Sequence, residues 1–261
     1  MNKIHMIAGL PRSGSTLLSS ILNQNPRFHS GISNPLNEAM HNAINAFSIT
    51  GNFTQMTQQQ RVNVLNGMID GYYKDIDAEV AFNTSRTWTS YLDLIDLVRP
   101  EAKVICCVRE IAWVLDSFET LRRKDPTLTV FLGDSSEFFI KNDVYTRANW
   151  QFNSGVVAVA YHSLQQGYHS THTNKLYFVE YDDLAKNPER TMRGVYNIIG
   201  EPYYDHDYDD VEISYDEYDV SVAMPGLHKI RKKVQHIQRP SILPRDLFES
   251  YTNKGYEFWR Q

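Results

Sequence analysis

One stretch near the start constrains this chain more than any other: Ile4-His5-Met6-Ile7-Ala8-Gly9-Leu10-Pro11-Arg12-Ser13-Gly14-Ser15-Thr16-Leu17-Leu18. An apolar run ends in a glycine, and a loop of small residues with one arginine follows. Thr16 to Asn25 then carries Leu17, Leu18, Ile21 and Leu22 at helical spacing. That order predicts a buried strand, a tight turn and a helix start. Such a turn can aim backbone N–H groups, the hydroxyls of Ser13, Ser15 and Thr16, and the Arg12 guanidinium at one point. Backbone donors at a helix N-terminus, aided by the helix dipole, form an anion site, usually for phosphate. A purely structural strand–turn–helix is the alternative.

Gly9 to Thr16 reads G-L-P-R-S-G-S-T, close to the nucleotide-loop pattern G-x-x-x-x-G-K-[ST], with Ser15 where the lysine belongs. That lysine serves the β- and γ-phosphates of a nucleoside triphosphate, so the loop reads as phosphate-binding but poorly built for ATP hydrolysis. Arg12 supplies a cation from inside the loop instead. Pro11-Arg12-Ser13-Gly14-Ser15-Thr16-Leu17 resembles the 5′-phosphosulfate-binding loop of sulfotransferases that use 3′-phosphoadenosine 5′-phosphosulfate (PAPS). It resembles the arginine form carried by tyrosylprotein sulfotransferases and many bacterial relatives.

A second anion half-site is predicted further on. Val104-Ile105-Cys106-Cys107-Val108 is a continuous apolar run, as in a central parallel strand buried on both faces. It ends in Arg109, where a metal-holding nucleotide strand would end in aspartate. Ser117 lies eight residues on, about two turns along a helix predicted over Ile111 to Lys124. A bidentate guanidinium and a hydroxyl suit a dianionic phosphate with no metal. In type and spacing the pair resembles the 3′-phosphate-binding motif of PAPS sulfotransferases.

At 261 residues and 42% hydrophobic content the chain can bury a sizeable core, and one domain over 1–261 is expected. The resemblance implies an α/β three-layer sandwich with a mainly parallel central sheet of about five strands, the P-loop-like sulfotransferase fold. A net charge of −5 argues against nucleic acid as a partner. No stretch is long and apolar enough to span a membrane, and no signal peptide is expected. Cys106 and Cys107 read as buried strand thiols, neither a disulfide nor a metal pair, which fits a reducing cytoplasm.

Pro35 is predicted to open a helix over Leu36 to Phe47, with Asn34 as its cap. Glu38 and His41 lie one turn apart on it. Glu38 is a candidate general base, with His41 in reserve, or else only a first-turn carboxylate that complements the helix dipole. Tyrosylprotein sulfotransferases carry a catalytic glutamate in this region; a gap-free alignment places Ser33 there. Helix is also predicted over Gln58 to Lys74, and a strand from Val80 into Ser85-Arg86-Thr87-Trp88. Bacterial relatives show a D-K-S-R-x-W pattern at that strand end; here Thr84 takes the lysine's place and Arg86 is its natural substitute, unless Arg86 only stacks on Trp88.

One long helix is expected over Asp143 to His169, with Val156, Val159, Ala160 and Leu164 on its apolar face and His162, His169 and nearby His172 on the surface. Strand and turn follow over Lys175 to Leu184, and a helix from Glu189 to Ile199. Tyr181 matches the tyrosine that lies near the adenine in the family, or is a buried tyrosine at a strand end. The acidic run Tyr203 to Tyr218 reads as a solvated loop, or as bait for a cationic acceptor. Met224 to Lys233 swings basic, and Arg231, Lys232 and Lys233 resemble the late basic loop that contacts the 3′-phosphate. Arg245 to Trp259 is expected as one amphipathic helix packed on the body or on a second subunit, making a homodimer possible.

Together these readings imply a sulfotransferase that moves a sulfuryl group from PAPS to an unidentified acceptor by in-line displacement, leaving adenosine 3′,5′-bisphosphate (PAP), with no metal. Pro11, Arg12, Ser13, Gly14, Ser15 and Thr16 would hold the 5′ end, and Arg109 and Ser117 the 3′-phosphate. Two rivals stand beside this: a nucleotide-binding protein without transfer activity, and a P-loop kinase.

Overall fold

The strand read from the N-terminal run lies in the middle of a five-stranded, all-parallel sheet of order β2-β3-β1-β4-β5. The computed structural model describes residues 3–49, 51, 53–124, 143–211, 213, 215–221 and 226–260. In chain order the first half holds β1 (Lys3–Gly9), α1 (Ser15–Leu22), β2 (Phe28–Ser30), α2 (Leu36–Ser48), α3 (Gln58–Tyr72) and β3 (Val80–Thr84). Then come α4 (Leu92–Val98), β4 (Val104–Val108), α5 (Ile111–Lys124), α6 (Val144–Asn153), α7 (Val156–Tyr168) and β5 (Leu176–Glu180). The last elements are α8 (Tyr181–Lys186), α9 (Pro188–Ile199), α10 (Asp216–Ser221), α11 (Arg245–Tyr251) and α12 (Tyr256–Trp259).

Side chains alternate faces along a strand, and the two faces feed two cores. Ile4, Met6 and Ala8 of β1 and Val104, Cys106 and Val108 of β4 pack against α2, α3, α4, α5, α7 and α11. Ile7, Ile105 and Cys107 face the other way, onto Leu18, Ile21 and Leu22 of α1 and Met192, Val195, Tyr196 and Ile199 of α9. This is the expected three-layer α/β sandwich. Each fully buried leucine or isoleucine contributes about 2 kcal/mol, against roughly 0–1 kcal/mol for an exposed ion pair, so these two apolar layers hold the fold. Both cysteines are free and buried, and burial pushes the Cys107 thiol up to about 12.

The strand order has a functional consequence. From β1 the chain goes to β2 and β3 on one side, then crosses to β4 and β5 on the other, so β1 and β4 flank the topological switch point, where such sheets bind ligands at their carboxyl ends. Gly9 pairs with Cys107 there, and its φ of 113° leaves no room for a side chain: a Cβ would lie 2.0 Å from the Cys107 carbonyl oxygen. The two predicted half-sites thus leave adjacent strand ends.

Several boundaries differ from expectation. α1 stops at Leu22, and the chain turns through Asn25. The long helix over Asp143 to His169 is two helices, α6 and α7: the Ser154 and Gly155 N–H groups both turn back onto the Trp150 carbonyl, and Val159 is 51% exposed instead of buried. The C-terminal helix is likewise split, at Asn253 and Gly255, both with positive φ, while Leu247 and Tyr251 are buried in the core shared with α5. Met224, Pro225 and Glu212 of the predicted late segments lie outside the described residues.

Candidate active site

A cavity of about 630 Å³ opens at the carboxyl ends of β1 and β4. Its floor is the loop after β1. Gly14 takes the N-cap position of α1 with φ 94°, and no side chain caps the helix, so its first N–H groups are free of side-chain caps beside the cavity-lining Gly14, Ser15 and Thr16. A Cβ on Gly14 would sit 2.9 Å from the Tyr181 ring. Arg12 is left-handed too, φ 61°, and lines the cavity beside Pro11. Ser13 departs from expectation: its hydroxyl is buried against the carbonyls of Leu10 and Cys107, and it is not among the lining residues. It stitches the loop to β4.

The two predicted half-sites touch. Arg12 Nε donates to Ser117 Oγ at 3.0 Å, and Arg109 Nη1 reaches the Arg12 carbonyl at 3.5 Å. Arg109 lies over Tyr181, 4.2 Å from the ring centroid, with Trp113 on another side at 5.9 Å. Its Nε is buried and has no hydrogen-bond partner among the described residues, so a donor is held ready beside the cavity it lines. Burial lowers the affinity of both guanidiniums for their protons, and at Arg12 the nearby Arg109 charge adds to it. Two arginines held this close store an electrostatic cost that a bound anion relieves.

Around this pair the lining continues with Ser33, Thr84 and Arg86 on one side and Lys229, Arg231, Lys233 and Arg239 from the late segment on the other. No aspartate or glutamate lines the cavity among the described residues. Thr84, where the resemblance implies a lysine, donates its hydroxyl to the Gly31 carbonyl at 2.7 Å. Arg86 is exposed to the cavity, whereas Trp88 is buried and donates to Asn83.

Other predicted residues lie elsewhere. Glu38 is exposed on α2 and lies outside the lining; Ser33 lines the cavity instead. His41, one turn on, is exposed and bonds Tyr91 at 2.9 Å. Neither proposed base lines the cavity. Lys232 turns to Asp210 (3.4 Å) and lies outside the lining, and Lys233, at its edge, meets Asp209 at 2.7 Å. The acidic and basic runs pair with each other, and the backbones join through Val211 to Lys232 and Val234 to Tyr208, both at 2.8 Å.

Residues missed in the sequence complete the cavity: Tyr218, His228, His236 and Arg239. Arg239 bonds Asp116, which also accepts from Ser241 Oγ and the Ile242 N–H at 2.8 Å each. Asp116 is fully buried on α5, next to Ser117, and so ties the late segment down over the site. Nothing in the local pattern marks Asp219 or His228, because one directly follows the acidic run and the other lies in the basic segment.

The model of the sulfotransferase family matches residues 6–205. Among solved structures, a sulfotransferase from Alicyclobacillus acidocaldarius is 13% identical with a TM-score of 0.52, covering 85% of this chain and 92% of that one. The sulfotransferase domain from the curacin biosynthetic pathway is 16% identical with a TM-score of 0.50, covering 78% and 76%. At that identity these likenesses speak to the fold. No curated protein matches the chain in sequence.

Proposed function

Because the chain belongs to the sulfotransferase family, we propose that its donor is PAPS and that it transfers the sulfuryl group to an acceptor hydroxyl or amine, leaving PAP. One observation carries this reading: Arg12 with its loop and Arg109 with Ser117 meet in a single cavity that no carboxylate lines among the described residues. The buried Nε of Arg109, without a partner among the described residues, supports the fit, since a guanidinium so placed suits a phosphate oxygen.

In this reading Arg109 and Ser117 hold the 3′-phosphate and Tyr181 packs at the adenine end. The N–H groups opening α1 and the hydroxyls of Ser15 and Thr16 hold the 5′ end. Arg12 stabilises the charge that grows on the departing 5′-phosphate, and Arg86, from the far side, neutralises the sulfuryl oxygens in place of the absent lysine. Bound PAPS supplies the activated sulfuryl group. Glu38 is not retained as the base, since it lies outside the lining.

A second reading, nucleotide binding without transfer, is favoured by Thr84, whose neutral hydroxyl is engaged with Gly31. Sulfur-labelled PAPS offered with phenols, alcohols and amines separates the two. Label appearing on an acceptor supports transfer; PAP binding with no transfer and no sulfate release supports the silent protein.

A further inference from the structure

With no carboxylate lining the cavity among the described residues, the proton of the acceptor needs another destination, and His228 fits it. Its Nδ1 lies 2.6 Å from Asp219 Oδ1, and its backbone N–H donates to Asp219 Oδ2 at 2.9 Å. The Asp219 side chain is 2% exposed and that of His228 14%. A buried carboxylate facing an imidazole nitrogen accepts a hydrogen, so Nδ1 carries the proton. In the tautomer with Nδ1–H the ring's lone pair lies on Nε2. The rings of Tyr218 and Tyr215 flank the imidazole, with centroids 5.5 and 6.1 Å away. His228 lines the cavity with Arg12, whose Nη1 donates to the carbonyl of Leu227, the preceding residue. The other cavity histidine, His236, lies 3.7 Å from Asp182, next to Tyr181 at the adenine end.

We propose that His228 Nε2 takes the proton from the acceptor during transfer, and that Asp219 is the positioning residue that fixes its tautomer. The proposal rests on the PAPS-dependent transfer reading above. As His228 takes the hydroxyl or amine proton, the electron pair left on the acceptor forms the new bond to sulfur. The bond from sulfur to the bridging 5′-phosphate oxygen breaks, and its electron pair stays on the phosphate, where Arg12 and the opening of α1 meet it. Asp219 balances the imidazolium, which later returns its proton to water. The step consumes no oxidant, reductant or metal.

The test uses the full chain, labelled PAPS and two acceptors of known chemistry, water and phenol, beside calorimetry with PAP. His228→Gln should bind PAP within about twofold of the parent while sulfate release and phenol sulfation fall about a hundredfold or more. Asp219→Asn should lower kcat about tenfold or more with the KM for PAPS little changed. In protein carrying nitrogen-labelled histidine, the strongly deshielded Nδ1–H signal of His228 should be present in the parent and lost in both variants. That magnetic resonance readout needs no turnover, and the retained PAP binding guards against a variant that merely folds poorly. Parent-like turnover by His228→Gln overturns the proposal, as does a parent without the Nδ1–H signal. A loss of PAP affinity matching the loss of turnover overturns it too, because His228 would then be a binding residue. A parent that binds PAP but moves no sulfuryl group even to water overturns the transfer reading and this step with it. A parent that binds no PAP overturns the PAPS donor and, with it, this step as written, an outcome that the calorimetry reads separately.

Discussion

Arg12 and Gly14 both stand in left-handed backbone, at φ 61° and 94°, within three residues of each other. For a side-chain-bearing residue that region costs about 1–2 kcal/mol, so the loop stores strain that its contacts must hold. Arg12 is held by Ser117 and the Leu227 carbonyl. Gly14→Ala should therefore lose about 1–2 kcal/mol in chemical denaturation and also weaken PAP binding, because its methyl would press on Tyr181. Arg109→Ala should leave the melting temperature near the parent's and weaken PAP binding about tenfold or more by calorimetry, since a charge-assisted bidentate contact is lost; unchanged affinity would remove Arg109 from the site. The residues of this half of the site were legible in the sequence because their donors are local to one turn and one strand end. Ser13 was the exception: its hydroxyl chose two backbone carbonyls over the cavity, a choice set by the approach of β4. His228 and Asp219 were not legible, because their pairing depends on how α10 and the following turn fold back over the cavity.

Among the elements, the late segment depends on one buried anchor. Asp116 accepts from Arg239, Ser241 and Ile242 while itself fully buried. Removing the carboxylate leaves three half-buried donors without their acceptor, so Asp116→Ala should cost about 2 kcal/mol in denaturant unfolding. Because Arg239 lines the cavity over Trp113, the same change should also weaken PAP binding; a variant as stable as the parent would show that the anchor is incidental. The pairing of Asp209 and Asp210 with Lys233 and Lys232 explains why neither charged run could be read alone: each neutralises the other across more than twenty intervening positions. Helix ends were misread where a glycine intervenes. Gly155 admits no Cβ, which would meet Gln151 Oε1 at 2.6 Å, and Gly255 takes φ 87°. In the sequence these helices look continuous, because the apolar spacing survives the break.

At the scale of the whole molecule, the two-faced core was the most legible feature, since the continuous apolar runs of β1 and β4 allow little but a parallel sheet covered on both sides. The same burial makes stability depend on pH. His5 and His206 are pushed down to about 4, chiefly by burial. Between about 6.5 and 4 the unfolded chain binds their protons and the folded chain does not, so stability falls as pH drops through that window. Melting temperatures across it should fall less steeply for His206→Phe than for the parent; equal slopes would show that His206 is protonated in the fold.

The central claim is that the cavity is built for an adenosine bisphosphate held at both ends by arginine. Calorimetric titration of the purified protein with PAP, against ATP with and without magnesium, tests it most directly. Micromolar PAP binding that is indifferent to magnesium, with ATP much weaker, is the predicted result. Tight, magnesium-dependent ATP binding with no PAP binding would contradict it and restore the kinase.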